Sequence, residues 1–344
     1  MPKHGRFRLP FRAGGSWSAV LFAALLTACA PAVVGAGPSV RAPALSAATF
    51  HTADDQAFRV ARAEPEGPPR AVVLGLHGMN NHATGFLREV IGEFTADGLR
   101  VITYDQRNHG RNRRRGIWPG EAALTADAEA MIRLVREENP GIPLFVLGES
   151  MGANTAFILQ DRFAGDPGAP RVDGWLLLSP GLWTLADMGP ATAASFHLAL
   201  RSFPGLAVPG RSPTMIPTDN DDALERLYAD PDAEQDARVD TVWGMLQMMQ
   251  TTMPRLANCC TAPTLVMIGA RDPVAEERPL RTALRTVPQG QPFRVARYPE
   301  GRHLLLLDRR RDIAVRDILA FTRDPAMPLP SGADRLGGQW LAGN

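Results

Sequence analysis

The chain is short of lysine, cysteine and long apolar runs, and each shortage closes off a class of protein. Lys3 is the only lysine among 37 basic residues in 344. Arginine replaces lysine freely on solvated faces, so this is a compositional bias and not the mark of a site. Formal net charge is +1, the arginines are scattered without interleaved aromatic stripes, and nucleic acid is excluded as a partner. There are three cysteines, and no spacing of Cys and His matches a zinc site, so no metal is implied. The apolar run near the N-terminus, Trp17 to Leu26, is shorter than the roughly 20 residues that a spanning helix needs. The rest is 45% apolar and 21% charged, an ordinary globular composition in a chain long enough for one large domain with an insertion.

Lys3, Arg6, Arg8 and Arg12 precede that apolar run, which marks residues 1–28 as a bacterial secretion signal. The next residues, Leu26, Thr27, Ala28 and Cys29, resemble the lipobox of bacterial lipoproteins. That resemblance implies that Cys29 is lipidated and that the protein is held on a membrane of the cell envelope, on its periplasmic or surface side. Residues 30–48 are rich in Ala, Pro, Gly and Ser, so 29–49 reads as a lipidated Cys and a flexible tether. Cys259 and Cys260 are neighbours. One peptide bond barely permits the geometry of a disulfide, and they are expected as two buried thiols.

From Phe50 onward, apolar runs (Phe58–Ala61, Ala71–Leu76, Val101–Tyr104, Leu144–Leu147, Trp175–Leu178, Thr264–Ile268, Phe293–Ala296) alternate with amphipathic stretches (Phe86–Ala96, Ala122–Glu138, Met151–Phe163, Glu276–Val287, Asp312–Phe321). This pattern predicts an α/β fold, a mostly parallel central sheet with helices on both faces. The alternation breaks over 181–258, a stretch with seven prolines, six methionines and no convincing strand. It predicts a helical cap inserted between core segments 50–180 and 259–322, with Met245, Met248 and Met249 on one helix face as candidates to line an acyl pocket. Residues 323–344 lack periodicity and are expected to form a mobile tail.

Gly148, Glu149, Ser150, Met151 and Gly152 follow an apolar run and open a helical stretch. A G-x-S-x-G match arises by chance in roughly one chain in ten of this composition, so its context must carry the weight. Strand, sharp turn and helix are the context of a nucleophile elbow, in which glycines leave room for the turn and the serine stands above the sheet edge. Serine needs a base, and the base an orienting acid. Asp272 follows the run Leu265–Ile268 and is the candidate acid, with Asp308 the next carboxylate to consider; His303 follows the last strand and is the only His after residue 197. The backbone N–H groups of Met79, after His77 and Gly78, and of Met151 are the candidate oxyanion hole. His77 itself is read as structural, as are Asp105, Arg107 and His109. The run Arg111, Arg113, Arg114, Arg115 reads as a solvated loop or as a contact for a lipid phosphate.

From about residue 50 to 322 the chain resembles the α/β-hydrolase superfamily, in the monoglyceride lipase and lysophospholipase branch that is grouped with serine aminopeptidases. His77 to Met79, Tyr104 to Gly110, Gly148 to Gly152, Gly269 to Val274 and His303 to Asp308 carry the likeness. The second stretch departs from the branch's D-x-R-G-H-G at Asn108, and Met79 to His82 stand where relatives keep a second Gly. The resemblance implies a cofactor-free serine hydrolase of lipid esters, working through an acyl-enzyme. An aminopeptidase or amidase is the alternative, with Asp219, Asp221 and Asp222 as candidates to meet an amine; a non-catalytic envelope binding protein is a third reading.

Overall fold

The computed structural model describes residues 30–212 and 214–343; residues 1–28 and Cys29 lie outside them. Strands β4 (Ala71–Leu76) and β6 (Leu144–Glu149) are buried at every position because both faces of the sheet are covered. Side chains that alternate along a strand therefore feed two cores. Val72, Leu74 and Val146 point into one, with Met131 and Ile132 of the helix Glu121–Glu138. Val73 and Leu147 point into the other, with Phe94, Ile318 and Phe321.

The remaining strands are β1 (Ala44–Leu45), β2 (Thr49–His51), β3 (Ala57–Ala63), β5 (Leu99–Tyr104), β7 (Gly174–Leu178), β8 (Ala207–Pro209), β9 (Asp236–Arg238), β10 (Thr264–Gly269) and β11 (Phe293–Tyr298). Nine of the eleven strands form one sheet in the order β1-β2-β3-β5-β4-β6-β7-β10-β11. From β5 to β11 the pairs are parallel, whereas β1, β2 and β3 run antiparallel along one edge. The helices are α1 (Ala83–Phe86), α2 (Ile91–Ala96), α3 (Glu121–Glu138), α4 (Met151–Phe163), α5 (Pro190–Ser202), α6 (Asp221–Ala229), α7 (Val239–Thr252), α8 (Glu277–Leu284), α9 (Arg311–Arg323) and α10 (Ala333–Ala342). No helix of the described residues is long and apolar enough to cross a membrane.

Five expectations need correction. The stretch Phe86–Ala96 is two short helices, α1 and α2, separated by residues 87–90. The segment read as a tether is a strap laid on the body. Ala32 donates to Asp240 (3.0 Å), Val34 to the Trp118 carbonyl (2.9 Å) and Gly37 to Asp54 (2.8 Å), and β1 joins the sheet. The tail carries α10, which packs on β11 so closely that a Cβ on Gly337 would stand 1.8 Å from the Val295 carbonyl oxygen, with Trp340 buried in the core. Within 181–258, β8 and β9 pair as a small antiparallel ribbon. Cys259 and Cys260 are joined in a disulfide, with Cys260 in the left-handed region at φ 70°.

Candidate active site

Ser150 holds φ 52° and ψ −111° between β6 and α4. A residue with a Cβ resists positive φ, and the surroundings over-determine it here. Its N–H donates to the Leu178 carbonyl (2.9 Å) and its carbonyl accepts from Asn154 N–H (3.1 Å). A Cβ on Gly148 would meet the Gly152 carbonyl oxygen at 2.5 Å, and one on Gly152 would meet that of Leu76 at 2.0 Å. Both glycines of the elbow are thus sterically required.

The other two candidates arrive on loops after β10 and β11. A Cβ on Gly269 would lie 2.3 Å from the Gly301 carbonyl oxygen, so the two loops run in contact. Arg271 N–H donates to the Gly301 carbonyl (2.9 Å) and pins them together. Asp272 Oδ1 accepts from Val274 and Ala275 N–H (2.8 and 3.1 Å), and its Oδ2 meets His303 Nδ1 at 2.8 Å. Burial favours the neutral carboxyl, but His303 and the two N–H groups outweigh it and hold the Asp272 pKa below the ordinary value. Burial lowers the His303 pKa, while Asp272, Glu149 and Asp308 raise it, and the net shift is upward. The hydroxyl of Ser179 donates to the His303 carbonyl (2.7 Å) and fixes the loop. Asp308 is a brace and not the orienting acid, since Oδ2 accepts from Arg302 N–H (2.8 Å) and Oδ1 from Asp219 N–H (3.3 Å).

Ser150 and His303 face one cavity of about 210 Å³ beneath the cap, with Met79 and Met215 also on its wall. Gly78 abuts the serine: a Cβ there would be 3.4 Å from Ser150 Cβ, so the loop that carries Met79 runs beside Ser150. Met151 is the first residue of α4, and the first N–H groups of a helix have no intrahelical acceptor. A larger cavity, about 420 Å³ between the His303 loop and α10, contains neither Ser150 nor His303.

Two carboxyls on this wall escaped the sequence reading. Glu149 is 3% exposed, and burial pushes its pKa up to about 7, opposed by His303. Glu234 is raised to about 7 by burial, opposed chiefly by Arg115. Glu149 was visible inside the elbow motif, but nothing in the sequence places Glu234, which comes from the cap.

His77 is structural. Gln106 N–H donates to its Nε2 (3.0 Å), which places the proton on Nδ1, facing the Gly78 carbonyl (2.8 Å), and burial lowers its pKa to about 3. Asp105 accepts from Arg59 (3.1 Å) and from Ala83 and Arg111 N–H (2.8 and 3.0 Å), and Arg107 is clamped between Asp54 and Asp127. Asn108 replaces glycine without loss because asparagine tolerates the left-handed region; it sits at φ 62° and bonds the Val34 and Ile117 carbonyls. The arginine run is divided. Arg111 pairs with Asp232 (2.7 Å) and Arg115 with Glu234 (3.3 Å), so both hold the cap, while Arg113 and Arg114 are exposed. Met245, Met248 and Met249 do not line the cavity. They are buried with Trp118, Leu124 and Ile158 in a core that seats α7 on the body.

Residues 67–310 match the family model described as serine aminopeptidase, S33. The chain is 28% identical over 218 residues to the monoacylglycerol lipase of Mycolicibacterium smegmatis, covering 62% of this chain and 75% of that one. Among solved structures, a soluble variant of monoglyceride lipase from Saccharomyces cerevisiae superposes with a TM-score of 0.68 at 17% identity, covering 86% of this chain and all of the other. A thermostable carboxyl esterase from Bacillus coagulans gives 0.64 at 20% identity, covering 83% and 99%. These likenesses share the α/β-hydrolase fold, and with the family match spanning most of its length the chain belongs to the serine aminopeptidase S33 family of hydrolases.

Proposed function

We propose that this hydrolase cleaves carboxylic esters of lipids through an acyl-enzyme on Ser150. The observation that carries the reading is the Asp272–His303 contact at 2.8 Å, set beside a serine held in a strained elbow. Asp272 keeps the proton of neutral His303 on Nδ1, which leaves Nε2 free to take the proton of Ser150 as its Oγ attacks the ester carbonyl. The N–H groups of Met79 and Met151 stabilise the oxyanion. His303 then protonates the departing alcohol, and a water activated by His303 frees the acid.

Among the described residues lining the cavity there are two carboxyls, Glu149 and Glu234, and no arginine. Held near neutrality, these groups suit the hydroxyls of a glycerol head group better than an anionic phosphate, which favours monoacylglycerols over lysophospholipids. The similarity to monoacylglycerol lipases agrees. None of the three amine-binding candidates of the aminopeptidase reading lines the cavity, and two are engaged elsewhere: Asp219 accepts from Arg309 N–H (2.8 Å) and Asp221 pairs with Arg309 (3.1 Å). A panel of p-nitrophenyl esters of graded chain length, a monoacylglycerol, a lysophospholipid and an aminoacyl amide tests the reading. Ester and monoacylglycerol turnover is expected, and amide hydrolysis without ester hydrolysis overturns it.

We further propose, from the lipobox-like residues Leu26 to Cys29, that lipidation of Cys29 anchors the protein on the bacterial cell envelope. Metabolic labelling with an alkyne fatty acid should mark the wild type and not Cys29→Ala. An unlabelled, soluble wild type removes the anchor.

A further inference from the structure

The turn that carries Met79 is closed by Asn81 N–H, which donates to the Gly78 carbonyl (3.2 Å). Its third residue, Asn80, sits at φ 68°, a conformation that asparagine tolerates and glycine adopts freely. Such a residue stays in place only where its surroundings hold it. Here they belong to the cap. Glu234 N–H donates to the Asn80 carbonyl (3.1 Å), and His82 Nε2 lies 3.1 Å from Asp230 Oδ2. The His82 proton faces that carboxylate, because Nδ1 is 3.0 Å from Arg59 Nη2, which can only donate. Met79, Asn80, Asn81 and Glu234 share the wall of the catalytic cavity.

Residues 230–234 (D-P-D-A-E) are themselves fastened to the body by charge. Asp230 pairs with Arg88, Asp232 with Arg59 (2.9 Å) and Arg111 (2.7 Å), and Glu234 with Arg115 (3.3 Å). Arg115 also donates to the carbonyls of Pro231 (2.9 Å) and Ala233 (3.1 Å). Arg59 ties the array to the far end of the turn: it donates to Asp105 (3.1 Å), which accepts Ala83 N–H (2.8 Å). A lone exposed ion pair adds little to stability, but several converging on one short segment fix its position. The rest of the cap is seated in other ways. Helix α7 rests on the methionine core, against which the Met79 side chain packs, and Arg226 of α6 pairs with Glu89 (3.0 Å), outside the turn. The backbone of the turn is gripped by 230–234.

We propose that the cap segment 230–234 positions the oxyanion loop, and that Asp230 and Asp232 are positioning residues for turnover. With the segment seated, the Asn80 carbonyl is held and the turn keeps the Met79 N–H where negative charge develops. With it released, Ser150, His303 and the Met151 N–H remain, but the hole loses its second donor. The inference deepens the ester-hydrolase reading and rests on it for the role of Met79, whereas the grip of the cap on the turn rests on the contacts alone.

The test compares the double substitution Asp230→Asn, Asp232→Asn with wild type and with Arg226→Gln, which removes a cap–body ion pair outside the turn. Hydrolysis of dissolved p-nitrophenyl butyrate is expressed per active site titrated with a fluorophosphonate, so unfolded protein does not count. In the double variant kcat should fall by about tenfold or more, towards the 10²–10³ that complete loss of an oxyanion donor costs, with KM within about twofold. Arg226→Gln should stay within about twofold of wild type in both. Unchanged kcat per site, a rise in KM in its place, or the same loss in Arg226→Gln overturns the proposal. Arg111→Gln, at an exposed partner of Asp232, reads the same effect at about threefold if the double variant does not fold, and no fall in its kcat counts against the proposal. Hydrogen exchange gives a readout that needs no chemistry. Amides of residues 78–86 should exchange faster in the double variant and in Arg111→Gln while those of 148–156 keep the wild-type rate; unchanged protection at 78–86 overturns the proposal. A wild type that hydrolyses no ester, with faster exchange at 78–86 in the variants, supports the grip of the cap on the turn and overturns the ester reading instead.

Discussion

Replacing Asp272 by Asn separates orientation from fold. Oδ1 accepts two backbone N–H groups, from Val274 and Ala275, and Oδ2 accepts from His303 Nδ1. An asparagine satisfies the first pair only by placing its carbonyl oxygen there, which turns its NH₂ towards His303. That donor forces Nδ1 to act as acceptor and moves the imidazole proton to Nε2, the atom that must receive the proton of Ser150. The same tautomer reversal in serine proteases is worth about 10⁴ in kcat, or roughly 5.5 kcal/mol of barrier at 1.36 kcal/mol per decade. Because the loop keeps its backbone bonds, Tm should change by only a few degrees. The pH profile adds a second reading. Burial lowers the His303 pKa but Asp272 and its neighbours raise it above the ordinary value, and only neutral His303 is a base. Wild-type activity therefore rises as pH passes through that raised pKa, and the residual activity of Asp272→Asn should rise at lower pH. The assay is steady-state hydrolysis of p-nitrophenyl butyrate from pH 5 to 9, with thermal unfolding as the fold control. Turnover within tenfold of wild type refutes the argument.

Glu149→Gln probes the buried carboxyl. Its pKa is raised by burial from 4.5 to about 7, so the folded state favours the protonated form, and stability present below the unfolded pKa is lost as pH rises to about 7. The lost amount is roughly 3 kcal/mol as an upper figure, so Glu149→Gln should raise Tm at pH 8 and change it little at pH 4; equal effects at both would contradict the burial argument. Trp340→Ala, which empties a buried site of α10, should destabilise by about 3–5 kcal/mol in a denaturant titration, whereas a mobile tail would leave the midpoint unmoved. Met249→Ala should cost about 2–5 kcal/mol of stability and keep the acyl chain-length profile of the wild type. A larger residue at Met215, on the cavity wall, should shift that profile to shorter chains; a shifted profile for Met249→Ala alone would place the acyl site in the methionine core.

The local signals that carried the reading were those with a fixed stereochemical demand. A Cβ at 148 or 152 would meet a carbonyl oxygen at 2.5 or 2.0 Å, so the motif spacing reflects sterics, and fully covered strands such as β4 read as unbroken apolar runs. Asp272 and His303 were legible because each follows a strand in chain order. What escaped was decided by distant partners. The strap has no periodicity and is held by backbone groups bonding Trp118, Asp54 and Asp240. Helix α10 contains Gly337 and Gly338, which weaken helix propensity, yet the first is what lets it approach β11. The cap methionines show one helical face whether that face meets substrate or core, and periodicity does not distinguish the two. Glu234 reaches the cavity only through the fold of the cap.

Covalent labelling with a fluorophosphonate probe, read by peptide mass spectrometry, tests most directly whether Ser150 is the nucleophile. A single adduct on Ser150 is expected in the wild type, with slower labelling in His303→Ala and none in Ser150→Ala, whose turnover should fall at least about 10³-fold. An adduct on another residue, or labelling and turnover that persist in Ser150→Ala within tenfold of wild type, would contradict that role.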